Sequence, residues 1–182
     1  MKNSLLTAAL AAVFVSACAT STPQSSTYDA KPAAARATAM LESTKGNAAK
    51  GKVTFLQSGD KVVVTAELEG LKPGAEHGFH VHEKGDCSSG DGMSAGGHYN
   101  PAGKPHGDHR MAGDRHAGDM PNLKADANGR VLANFTVTGL SIGGAADIVG
   151  KGLIVHRDPD DYKSQPAGNA DPRIACAVIQ RS

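Results

Sequence analysis

Past residue 35 the chain sets apolar and polar positions in short runs of strand character. ATAMLES (37–43), GKVTFLQ (51–57), KVVVTAELE (61–69), GFHVHE (78–83), GRVLANFTVTG (129–139), KGLIVHR (151–157) and IACAVIQ (174–180) are alternating or β-branched. Both features predict strands. Turn formers separate them, among them Ser58-Gly59-Asp60, Lys72-Pro73-Gly74 and Asn128-Gly129. Many short strands without an amphipathic helix predict an all-β fold, an antiparallel sandwich or barrel. Two long segments, from Lys84 to about Ala127 and from Arg157 to Arg173, break the pattern and are rich in Gly, Pro, Asp, His or Asn. Structureless loops of that length in a compact domain call for a function or a bound metal.

The N-terminus has a different pattern. Lys2 precedes an apolar run from Leu5 to Val15, and small Ser16 and Ala17 lead to Cys18. That order reads as a secretory signal over residues 1–17, too short to span a bilayer comfortably. A buried N-terminal helix is the alternative. Val15-Ser16-Ala17-Cys18 resembles a bacterial lipobox, which would acylate Cys18 and anchor the chain to a membrane. An ordinary signal cut near Cys18 is the competing reading. Residues 18–35 are small, polar and interrupted by proline, and form a tether; residues 36–182 form the folded domain. The expected location is the bacterial periplasm or cell envelope.

The chain has three cysteines, and an exported protein is not expected to leave an odd thiol idle. With Cys18 lipidated, Cys87 and Cys176 remain as a pair, and a disulfide persists in an oxidising compartment. Closing a loop of that length is worth about 4–5 kcal/mol in the chain-entropy account. Charge singles out no partner. Of 19 basic and 18 acidic residues, only Lys2 lies in the signal, so the mature chain is formally neutral. No basic run and few aromatics exclude nucleic acid as the expected partner.

The histidines carry the chemistry. Residues two apart on a strand face the same side, so His80 and His82 project together, opposite Phe79 and Val81. His98, His106, His109 and His116 follow in the first long segment, Asp119 stands three residues after His116, and His156 ends the run GLIVH. Imidazole and carboxylate without thiolate suit zinc or copper. A histidine-rich metal-buffering loop is the alternative, although it leaves His156 unexplained.

GFHVHEKGDC, SAGGHYNPAGKPHG, RHAGDMPNL, LIVHRDPDDY and PRIACAVI, in that order, resemble the signatures of the copper-zinc superoxide dismutases in their bacterial exported form. The resemblance runs from about Ala37 to Gln180. It implies a Greek-key β-barrel of immunoglobulin-like sandwich architecture with two functional loops. It assigns copper to His80, His82, His98 and His156, and zinc to His98, His106, His116 and Asp119, with His98 bridging both. Asp160 then links a copper histidine, His80, to a zinc histidine, His106, and Arg173 guides the anion.

The implied reaction converts superoxide to oxygen and hydrogen peroxide by alternate reduction and oxidation of copper, with His98 handling a proton and zinc structural. A noncatalytic metal-binding module on the same fold and a metal-free adhesion domain are the rival functions. The sequence leaves monomer and homodimer open. Departures from the family pattern are Ala177 after the second cysteine, Pro172 before the arginine and the insert DHRMAGD (108–114). His77 and His109 match no ligand and are expected at the surface.

Overall fold

The computed structural model describes residues 34–111 and 113–182. The expected signal, Cys18 and nearly all of the tether lie outside them. Ten strands follow in chain order: β1 (Arg36–Ser43), β2 (Lys50–Ser58), β3 (Lys61–Glu69), β4 (Glu76–His77), β5 (Phe79–His82), β6 (Leu123–Lys124), β7 (Val131–Thr138), β8 (Gly152–His156), β9 (Arg173–Val178) and β10 (Gln180–Arg181). One 3-10 turn, Met93–Ala95, lies in the first long loop.

The sheet is antiparallel and curled, in the order β5-β8-β9-β1-β2-β3-β7, with β10 also on β1. β1 joins its halves: Arg36–Leu41 pair with β2, and Glu42 and Ser43 pair with β9. The connections from β3 to β4–β5 and from β7 to β8 each pass between the two ends of this order, which is the Greek-key path. The short β4–β6 ladder, pairing His77 with Leu123, ties the segments flanking the two edge strands.

Alternation places the core. Ala37, Ala39 and Leu41 of β1, Val53 and Phe55 of β2, and Val62, Val64, Ala66 and Leu68 of β3 are buried between more exposed neighbours. Phe79 meets Phe135 edge to face with ring centroids 6.5 Å apart, a geometry worth about 0.5–1.5 kcal/mol beyond area burial. The β2–β3 hairpin closes from Ser58 to Lys61 through Gly59, whose φ of 62° suits a residue without Cβ. β5 and β8 do not alternate; every residue in both is buried. One face packs into the core through Phe79, Val81, Leu153 and Val155, and the long loops cover the other.

The disulfide forms as expected. Cys87 and Cys176 are bonded, with their Cα atoms 5.9 Å apart. Ala95, Ile154 and the two cysteines make a small apolar cluster separate from the main core. It pins the start of the first loop to β9, three residues from Arg173.

Candidate metal centre

β5 presents His80 and His82 on the face away from the core, and the first loop returns to that strand. Tyr99 N donates to Val81 O at 2.8 Å, Val81 N to Gly118 O at 3.0 Å and Gly118 N to Tyr99 O at 2.9 Å. This docking aligns His98 opposite His82 and Asp119 opposite His80. Gly118 permits it, because a Cβ there would run into the Val81 carbonyl. His156 arrives from the end of β8, where the register with β9 shifts between Val155 and His156. Such irregularities re-aim a side chain.

Two clusters result, and they share a residue. His80, His82, His98 and His156 form one; His98, His106, His116 and Asp119 form the other. Within each, one candidate donor atom per residue lies within 4.8 Å of the others, and every member is buried. In the first cluster the His80 and His98 ring centroids are 3.9 Å apart, those of His82 and His98 5.0 Å, and those of His80 and His156 5.0 Å. In the second, Asp119 Oδ1 lies 2.8 Å from His98 Nδ1, 3.0 Å from His106 Nδ1 and 3.3 Å from His116 Nδ1. Its Oδ2 accepts from the backbone N–H groups of Gly107 (3.1 Å) and His116 (3.0 Å), which fixes the carboxylate.

The donor sets fit metals. Among the described residues, His80 Nδ1, His82 Nε2, His98 Nε2 and both ring nitrogens of His156 are buried without a hydrogen-bond partner. Native proteins rarely leave buried polar atoms unpaired, and an ion would satisfy one nitrogen of each ring directly. Four imidazoles suit copper; three imidazoles and a carboxylate suit tetrahedral zinc.

The opposite ring nitrogens are held. Asp160 Oδ2 accepts from His80 Nε2 at 2.8 Å and its Oδ1 from His106 Nε2 at 2.9 Å, so one carboxylate joins the two clusters. His82 Nδ1 donates to the Gly96 carbonyl at 2.9 Å. These contacts set the tautomer that turns the remaining nitrogen inward. Asp160 is itself framed: Asn122 Oδ1 accepts from its N–H (2.9 Å) and Asn122 Nδ2 donates to its carbonyl (2.9 Å).

Charge follows burial in the metal-free protein. Burial, reinforced by the neighbouring imidazoles, holds His82 and His156 well below the usual histidine range, and burial with His80 nearby pushes His98 down to about 4. At His106 burial works the other way from its partners, and hydrogen bonds to Asp119 and Asp160 prevail, raising it to about 9. Asp119 and Asp160 remain ionised despite burial, because the histidines hold both far below the carboxylate range.

A cleft of about 470 Å³ opens on this centre, lined by Glu83, His98, His116, His156, Asp171 and Arg173 among others. Arg173 Nη1 donates to Gly92 O and Nη2 to Gly96 O, each at 2.7 Å. The guanidinium is therefore fixed against the loop that Cys87 pins.

Four residues differ from or add to the sequence reading. His77, expected at the surface, is buried at the β4–β6 ladder, and its Nδ1 donates to the His156 carbonyl at 2.9 Å. That carbonyl lacks its strand partner, because Gly78 N donates to Asp158 O instead. His109 is half-buried beside Tyr162, with ring centroids 5.4 Å apart. Arg115, which the sequence did not single out, is buried and donates to His116 O (2.9 Å) and Thr138 O (2.7 Å), bracing the turn that carries His116 and Asp119. Gln165 likewise clamps His106 by exchanging two 2.8 Å bonds with its backbone.

Two imidazole clusters sharing one ring on a curled Greek-key sheet define a binuclear metalloprotein class, and the comparisons name the family. The profile of the copper/zinc superoxide dismutases matches residues 49–179. The chain is 43% identical over 151 residues to superoxide dismutase [Cu-Zn] 2 of Aquifex aeolicus strain VF5, covering 80% of this chain and 86% of that protein. It is 41% identical over 138 residues to superoxide dismutase [Cu-Zn] of Paramecium bursaria Chlorella virus 1, covering 71% and 72% respectively. The crystal structure of the clock protein EA4 superposes with a TM-score of 0.72 at 39% identity, covering 80% of this chain and 93% of that one. The chain belongs to the copper/zinc superoxide dismutase family.

Proposed function

We propose that the protein is a superoxide dismutase that binds copper at His80, His82, His98 and His156 and zinc at His98, His106, His116 and Asp119, combining two superoxide anions and two protons into oxygen and hydrogen peroxide. The observation that carries this reading is the shared, buried His98. Copper supplies one-electron exchange, and zinc, without accessible redox chemistry, supplies fixed charge.

The protein supplies the rest. Arg173, braced by two carbonyls at the cleft, receives the anion and orients it beside His98 and His156. His98 holds a proton at Nε2 and passes it to the reduced product, while the Asp119 side keeps Nδ1 in place. Burial, with His80 nearby, keeps the ring from taking up a second proton near pH 7 in the metal-free protein. Asp160 holds the outer nitrogens of His80 and His106 and keeps both rings oriented through the cycle.

The envelope is the proposed location, with residues 1–17 as signal and Cys18 as lipid anchor. The order of charge, apolar run and small residues supports it, and the Cys87–Cys176 bond suits an oxidising compartment. Mass spectrometry of the mature N-terminus tests the anchor; an unmodified Cys18 refutes it. The activity is tested by loading both metals at measured stoichiometry and following superoxide decay directly. Fast decay that disappears on copper removal is expected. Full loading with background decay identifies a metal-binding module instead.

A further inference from the structure

Two imidazoles of the copper cluster have their outer nitrogen held by a protein acceptor, and a third, His98, turns it to the second cluster. His80 Nε2 meets Asp160, His82 Nδ1 meets the Gly96 carbonyl and His98 Nδ1 meets Asp119. His156 differs, since it is buried and neither ring nitrogen has a hydrogen-bond partner among the described residues. Asp171 Oδ1 stands 3.9 Å from His156 Nδ1.

The backbone places Asp171 there. His156 pairs with Arg173 across the β8–β9 ladder, and Arg157 N donates to Pro172 O at 2.7 Å, holding the Asp171–Pro172 segment against the end of β8. The Asp171 side chain is 77% exposed and lines the cleft that also holds His98 and Arg173. Among the described residues its carboxylate makes no hydrogen bond and no ion pair with Arg173, whose two terminal nitrogens are engaged by Gly92 and Gly96. It is free to move.

We propose that Asp171 is the positioning carboxylate of His156, the counterpart on the cleft side of Asp160 on His80. With an ion on Nε2, the ring must carry its proton on Nδ1, and a buried N–H without an acceptor is costly. Asp171 accepts it by moving about 1 Å, the difference between 3.9 Å and an N–H···O bond. The contact is charge-assisted, and it makes the imidazole a stronger donor, favouring Cu(II). The inference rests on His156 holding copper.

The test is copper(II) and zinc(II) affinity by chelator competition on the full folded protein, with EPR of the copper form, in D171A, D171N, D91N and H156A. D171A is expected to weaken copper about tenfold and change the EPR parameters, with zinc unchanged within about twofold. D171N retains a carbonyl acceptor and falls between D171A and the parent. Asp91 lines a neighbouring cleft together with Arg173; D91N removes an equal charge near that guanidinium and leaves copper affinity and EPR unchanged. Copper affinity in D171A within about twofold of the parent overturns the proposal. So does an equal loss in D91N, which makes the effect one of cleft charge, or a joint loss of both metals in D171A. If H156A retains parental copper affinity, the ligand assignment itself fails; if only H156A loses copper, the assignment stands and the role of Asp171 is refuted.

Discussion

Replacing Asp160 with asparagine should weaken copper and spare zinc, even though the side chain touches a histidine of each site. The carboxylate accepts three hydrogen bonds: Oδ2 from His80 Nε2 (2.8 Å), and Oδ1 from His106 Nε2 (2.9 Å) and Tyr162 N (2.7 Å). An amide has one acceptor oxygen and one donor group. With the amide nitrogen at the Oδ1 position, it would face two N–H donors; at the Oδ2 position, it faces only His80. Each opposed buried donor costs about 1–3 kcal/mol, so the oxygen takes the Oδ1 position. His80 can then accommodate the amide N–H only by moving its own proton to Nδ1, the nitrogen turned toward the copper cluster. Copper must displace that proton. Loss of an outer partner typically costs 10–100-fold in affinity, which is about 1.4–2.7 kcal/mol. Separate competition titrations read both metals. Zinc weakened with copper unchanged, or neither changed, refutes the reasoning.

Stability of the metal-free protein should peak near pH 6.5. His98, His82 and His156 have folded pKa values below their unfolded ones, about 4 for His98, so stability is lost as pH falls from about 6.5 toward 4. His106, raised to about 9, contributes stability that is full below about 6.5 and is lost as pH rises through 9. Urea midpoints at pH 4.5, 6.5 and 9.5 check this; a flat profile contradicts it. Gly168→Ala places a Cβ against the Asp160 carboxylate and His106 Nε2 at a left-handed φ of 65°. Strain of about 1–2 kcal/mol and overpacking of about 1–3 kcal/mol predict a loss of about 2–5 kcal/mol by urea unfolding, and less than about 1 kcal/mol defeats it. Arg173→Ala should slow superoxide capture about fivefold and flatten its salt dependence with both metals retained, since a unit charge at about 4 Å in water is worth about 1 kcal/mol. Metal loss instead makes Arg173 structural.

Seven strands were legible because each is long enough to show alternation or a β-branched run. The two-residue β4, β6 and β10 are too short for any period and exist only through their partners. β5 and β8 read as strands, but their burial on both faces depends on the loops that cover them. The residues of the two clusters were legible as H-x-H spacing and ordered motifs. His77 was misread because nothing in the run GAEHGFH distinguishes a histidine facing solvent from one replacing a missing strand hydrogen bond at the His156 carbonyl. Arg115 and Gln165 were missed because their roles are backbone contacts made across folded loops, 59 residues apart in the case of Gln165 and His106, and leave no local pattern.

In the proposed site one buried imidazole, His98, separates two different ions. Crystals loaded with both metals, measured at the copper and zinc absorption edges, test it most directly. A copper peak is expected among His80, His82, His98 and His156, and a zinc peak among His98, His106, His116 and Asp119, with the His98 ring between them. A single ion occupying both clusters, or two ions with His98 bound to only one, contradicts it.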